Sequence, residues 1–154
     1  MNYSTSFTQA GAGRQLHAPD ATLTVVVGGE RTDDTYEIFE ITAPKMDPTP
    51  LHRTGWGKSY YVLDGRMRVA VDGESFELGQ GSSIAIPPRS LHTFTVLTPT
   101  VTFLVFSLPG GMGRFHADLD ASVPHDRPVS ELFGDIARVL ERHDVTLENM
   151  EAVP

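Results

Sequence analysis

Between Ala21 and Leu108 the chain is written in short apolar runs separated by turn residues, about 8–12 residues apart. The runs ATLTVVVGG and TYEIFEIT are rich in β-branched and aromatic side chains, which suit a pleated, half-buried surface. RMRVAV alternates, with Met67, Val69 and Val71 on one face and Arg66, Arg68 and Ala70 on the other. Asp64-Gly65 and Asp72-Gly73 lie between strand-like runs and have the composition that a tight hairpin turn prefers. IAIPP, LHTFTVL and TVTFLVFSL continue the series, and Phe94, Val96, Phe103, Val105 and Phe106 are expected to line the interior. APKMDPTP, with three prolines in eight residues, is a loop. This pattern predicts an all-β sandwich or barrel.

The two ends of the chain read differently. Residues 1–20 are Gly-, Ser-, Thr- and Ala-rich with no period, and predict an arm. In VSELFGDIARVLERHDV, Leu132, Phe133, Ile136, Val139 and Leu140 recur at helical spacing, with Ser130 as N-cap. That amphipathic helix is expected to pack on the outside of the barrel, with His143 solvated at its end, and a shorter helix is expected over 113–120. The divisions are an N-terminal arm (1–20), a barrel (21–110) and a C-terminal helical extension of the same domain (111–154).

A length of 154 residues suits one domain with a real core. The net charge of −8 and the lack of clustered Lys and Arg speak against a nucleic-acid partner, and acidity is a poor match for an anionic membrane. With no cysteine, thiolate metal sites, disulfides and a Cys nucleophile are excluded. No basic start followed by an apolar run marks a signal peptide, and no apolar stretch is long enough to span a bilayer, so the expected location is cytoplasmic. Lysine is scarce: Lys45 and Lys58 stand against ten arginines, which makes each lysine conspicuous.

PLHRTGWGKSYYVLDG (50–65) and the later GSSIAIPPRSLH (81–92) resemble the two sequence motifs of the cupins. In the first motif, G-x5-H-x-H-x(3,4)-E-x6-G, the positions fall on Met46, His52, Thr54, Lys58 and Gly65. In the second, G-x5-P-x-G-x2-H-x3-N, they fall on Gly81, Pro87, Arg89, His92 and Val96. The flanking SLPGGMGRF and the helix after it are similar to small quercetin dioxygenase-like cupins and cupin-type polyketide cyclases. The resemblance implies a double-stranded β-helix (jelly-roll-like) barrel with a C-terminal α-helix, a small-molecule substrate in a central pocket, and a homodimer. It also implies one divalent ion (Fe, Mn, Ni, Cu or Zn) held by three His and a carboxylate. Only His52 and His92 of those four ligand positions keep a ligating residue.

The two substituted positions shape the functional expectation. Thr54 is a poor ligand, and an inward Lys58 would repel an ion strongly in a medium of low dielectric. A metal-free site therefore leads, with His52 and His92 as the ligands should one be bound. A lysine in an apolar cavity tends to lose its proton and can act as general base or form a Schiff base. His52 and His92 would add acid–base function beside it. Thr54, Trp56, Tyr60, Arg89 and Phe94 are the candidate substrate contacts. The opposing reading of Lys58 is that it snorkels outward into water. The functions in view are a metal-independent cyclase or isomerase, a metal-dependent dioxygenase or lyase, and a binding barrel without chemistry. His116 lies just past the last long strand and is placed to fold over the barrel mouth.

Overall fold

The computed structural model describes residues 3–148. Its strands are β1 (Gln15–Ala18), β2 (Ala21–Val27), β3 (Glu37–Pro44), β4 (His52–Thr54), β5 (Gly57–Asp64) and β6 (Met67–Val71). They continue with β7 (Glu74–Leu78), β8 (Ser83–Ile86), β9 (His92–Val96), β10 (Thr100–Leu108) and β11 (Val145–Leu147), with helices α1 (Met112–Ser122) and α2 (Phe133–Arg142) before the last. Two antiparallel sheets result, in the orders β1-β2-β3-β10-β5-β8 and β11-β4-β9-β6-β7. The period-2 alternation of the sequence explains the core. Phe39 and Ile41 from β3, Val62 from β5 and Val101, Phe103 and Val105 from β10 bury one face of the first sheet. Met67, Val69 and Val96 do the same for the second. The all-β barrel expectation stands. Phe106 does not belong to the lining; it falls on the outward phase of β10 and is half-buried.

Two local readings are corrected and one is borne out. Asp64-Gly65 is not a hairpin, because β5 belongs to one sheet and β6 to the other; the pair turns a corner between them. Asp72-Gly73 is the true hairpin, joining β6 to β7 with both residues at positive φ (48° and 86°), as a tight primed turn requires. The expected arm contains an edge strand: β1 pairs with β2, and Leu16 meets Leu23 with both side chains buried. A four-residue strand with one buried leucine carries too little period to be read from sequence.

The C-terminal extension differs most from expectation. Ser130 does not cap α2; residues 129–131 form a 3-10 turn and the helix starts at Phe133, after the buried Leu132. The shorter helix runs a little beyond its expected ends, over Met112–Ser122. Neither helix lies on an outer wall. Both close the barrel mouth, and β11 then returns to pair with β4, Val145 opposite Thr54 and Leu147 opposite His52. His143 is partly buried and bonded to Asp118 at 2.8 Å instead of being free in water. Glu37, a buried carboxylate, accepts from the backbone N–H groups of Gly111 (2.7 Å) and Gly113 (3.1 Å), and so anchors the first turn of α1 to β3.

Gly65 and Gly73 separate two costs of a side chain in left-handed backbone. Both have positive φ (81° and 86°), but a Cβ at Gly65 would overlap the Thr100 carbonyl oxygen, whereas nothing lies near one at Gly73. Gly73→Ala should cost about 1 kcal/mol and Gly65→Ala roughly 2–3 kcal/mol. Urea midpoints at unchanged m-value check the order; equal losses would mean that the corner does not constrain the two sheets.

Candidate functional site

The register of the second sheet places His52 of β4 directly opposite His92 of β9. Their rings lie 4.3 Å apart, inclined at 48°. Each Nδ1 sits beside a carbonyl oxygen, Pro50 at 3.0 Å for His52 and Ser90 at 2.8 Å for His92. A carbonyl can only accept, so both rings carry their proton on Nδ1 and leave Nε2 as a lone pair. Lys58 enters from the first sheet on the buried phase of β5. Its side chain turns inward, its residue is 8% exposed, and its Nζ lies 2.9 Å from His92 Nε2. The outward reading of Lys58 is overturned: alternation from the buried Tyr60 and Val62 leaves it no solvent face.

Beside this contact lies a cavity of about 340 Å³. Leu23, Ile41, Phe94, Phe115, Ile136 and Leu140 give it largely apolar walls, with Phe133 of α2, 60% exposed, also on its lining. Lys58, His52, Thr49, Thr54, Tyr60, Asp20 and His116 are among its polar groups. Burial sets their protonation. Desolvation pulls Lys58 down to about 8 against a partial counter-pull from Asp20. Desolvation and then the Lys58 charge lower His92 to about 4 and His116 to about 3, and hold His52 well below its ordinary value. Burial raises the Tyr60 hydroxyl and the Asp20 carboxyl. At neutral pH the imidazoles and the phenol are therefore uncharged, and the one amine is poised near its own titration.

The expected site residues divide by position. Lys58, His52, Thr54, Trp56, Tyr60 and Phe94 line the cavity. His92, 1% exposed, does not; it sits behind Lys58 and meets the amine, not the cavity. Arg89, expected as a substrate contact, is also outside. It stands at a glycine position of the motif, takes the positive φ of 65° that the turn demands, and pairs with Asp144 at 2.8 Å. Thr54 directs its hydroxyl to the Trp56 carbonyl at 2.9 Å. Sequence reasoning left three polar wall residues out of the site, Asp20, Thr49 and His116. His116 carried a signal: Met112, Phe115, His116 and Leu119 recur at helical spacing, so a histidine stands in an apolar stripe. Asp20, in a Pro-Asp turn, carried none.

The divalent ion implied by the resemblance does not fit these residues. His92 Nε2, one of the two lone pairs at the motif's ligand positions, already faces the amine of Lys58 at 2.9 Å. The Thr54 hydroxyl is committed to a backbone carbonyl. Among the described residues no group of three His, Cys, Asp or Glu side chains is disposed to hold an ion. His52 and His116 each keep an unengaged ring nitrogen, which is still short of the three protein ligands a catalytic site uses.

Comparison with known proteins places the fold. The cupin domain family matches residues 39–107. Quercetin 2,3-dioxygenase of Bacillus subtilis (strain 168) is 24% identical over 118 residues, covering 76% of this chain and 35% of that protein. The chain spans less than half the length of the curated relatives it matches. KdgF from Halomonas sp. superposes with a TM-score of 0.61 at 17% identity, over 69% of this chain and 94% of that one. The polyketide cyclase RemF from Streptomyces resistomycificus gives 0.59 at 23% identity, over 68% and 80%. At such identities the structures speak for the fold alone. No helix among the described residues is long and apolar enough to cross a membrane. Matched motifs, two facing antiparallel sheets and these likenesses together give the chain a cupin barrel fold, with residues 39–107 matching the cupin domain family.

Proposed function

We propose that this protein is a small-molecule enzyme that performs acid–base chemistry on a carbonyl compound through Lys58, with no metal in the step. The observation that carries the reading is a lysine amine buried in a largely apolar cavity and held 2.9 Å from a neutral imidazole. Burying an amine is unfavourable, and Lys58 is buried where Lys45 is exposed. In its neutral form Nζ takes a proton from the carbon beside a substrate carbonyl, leaving an enolate. The Tyr60 hydroxyl, kept protonated by burial, is the wall group suited to donate to the enolate oxygen. The enolate carbon then attacks a second carbonyl, closing a ring, and the alkoxide takes the proton back from Lys58. Reprotonation at another carbon gives an isomerisation instead. His52 supplies an acceptor, and His92 is a positioning residue that fixes the amine by accepting one of its N–H bonds. The dioxygenase reading needs a bound metal, which this donor set does not support.

Lys58 also makes a prediction about stability. Its folded value of about 8 lies below the 10.5 of an unfolded lysine, so below pH 8 folding must bury a charge. The penalty is fully present there and is relieved as pH rises from about 8 toward 10.5. Lys58→Met should therefore be more stable than the parent at pH 7 by roughly 2–3 kcal/mol, with the gap closing in that window. A gap independent of pH would show that the amine titrates normally.

Benzoylacetone tests the chemistry. A neutral Nζ attacks its ketone carbon, the C–O bond breaks as the oxygen leaves as water, and a conjugated enaminone with a near-ultraviolet band remains. The band should form on Lys58 and not on the exposed Lys45, at a rate that rises with pH through about 8, and Lys58→Met should abolish it. Asp20, His52, His92 and His116 surround the amine electrostatically; of these Asp20 favours the ammonium, so Asp20→Asn should shift the profile to lower pH. Probe that quenches the sole tryptophan, Trp56, yet never modifies Lys58 would instead identify a binding barrel.

A further inference from the structure

Helix α1 lies beyond the segment 39–107 matched by the cupin family, yet it contributes His116 to the cavity wall. The ring stands against Phe115, with centroids 4.9 Å apart. Its Nδ1 is buried and has no hydrogen-bond partner among the described residues. An orphaned N–H in such a place costs more than an orphaned lone pair. The proton therefore belongs on Nε2, the nitrogen left to meet a ligand. His52 has the opposite tautomer, since its Nδ1 faces the Pro50 carbonyl at 3.0 Å and its Nε2 is a lone pair. Burial and the nearby Lys58 keep both rings neutral. One imidazole of the cavity is a fixed donor and the other a fixed acceptor.

We propose that His116 is a specificity-determining residue: its Nε2–H grips a carbonyl oxygen of the substrate, while His52 Nε2 accepts from a hydroxyl or enol of the same molecule. The substrate class that meets both, within walls of Leu, Ile and Phe, is an apolar hydroxy-ketone or enolised diketone small enough for about 340 Å³. Naming the carbon that reacts rests on the proposed role of Lys58; the hydrogen-bond pattern does not. The helical extension, not the barrel motifs, thus selects which oxygenated compound the amine meets.

Titration of Trp56 fluorescence with butyrophenone and with butylbenzene, its analogue lacking the carbonyl oxygen, reads the grip directly. The unaltered protein should bind the ketone about tenfold more tightly, as one buried neutral hydrogen bond allows. His116→Leu should erase that preference, and His116→Gln, which keeps a donor, should restore part of it. Lys58→Met should keep the preference while losing the enaminone of benzoylacetone. A preference that survives His116→Leu, or no preference in the unaltered protein, overturns the proposal. An enaminone that persists in Lys58→Met overturns the lysine chemistry and leaves the grip of His116 standing. Should His116→Leu fail to fold, histidine NMR of the isotope-labelled parent decides. His116 should carry its proton on Nε2 and shift with butyrophenone but not with butylbenzene. A proton on Nδ1, or equal shifts with both probes, refutes the assignment.

Discussion

The amine of Lys58 and the Nε2 of His92 stand 2.9 Å apart in a place that water barely reaches, and the character of the site follows from that contact. An ammonium cannot share a small dry pocket with a divalent cation, and a lone pair that faces a lysine is not free to ligate. The same burial that excludes the ion moves Lys58 toward neutrality and holds the surrounding imidazoles uncharged. Where the resemblance implies lone pairs around a metal, the lone pair of His92 faces an amine. His92 is the hinge of the exchange. Its Nδ1 is tied to the Ser90 carbonyl, much as the outer nitrogen of a metal-bound histidine is tied to a second-shell acceptor, while its Nε2 serves Lys58.

The cavity depends on the C-terminal extension as much as on the barrel. The barrel mouth supplies His52, Thr54 and Lys58, while α1 and α2 supply much of the apolar wall, and β11 completes the enclosure by pairing with β4 beside His52. Glu37 holds the arrangement together across layers, a carboxylate on β3 that receives two backbone N–H groups at the start of α1. Asp34 adds to the same seam, accepting from the Gly110 backbone and from Arg114 at 2.8 Å each. Helix α1, which roofs the site, is thereby fixed to the sheet that carries Lys58, and wall and chemistry form one unit.

The strand phases, the loop of prolines and the helical stripe of the C-terminal region were all legible as local periodicities, because side-chain direction follows from residue spacing once the element type is known. So was the motif frame, down to Arg89 at a glycine position, where the structure shows the left-handed backbone that a glycine would relieve. Sequence alone thus determined an all-β barrel with a helical tail, and brought His52, Thr54 and Lys58 to one strand-turn-strand segment. It also determined that Thr54 and Lys58 stand at two of the four ligand positions the resemblance implies. It could not determine where the tail lies, because an amphipathic stripe states that a face is buried and not what buries it. The direction of Lys58, the retreat of His92 behind it, the loss of Arg89 to Asp144 and the entry of Asp20 were decided by tertiary structure alone. The physical reason is common to all of them. Protonation and hydrogen-bond role depend on burial and on neighbours far along the chain, and those are set only when the two sheets close and the helices come down over them.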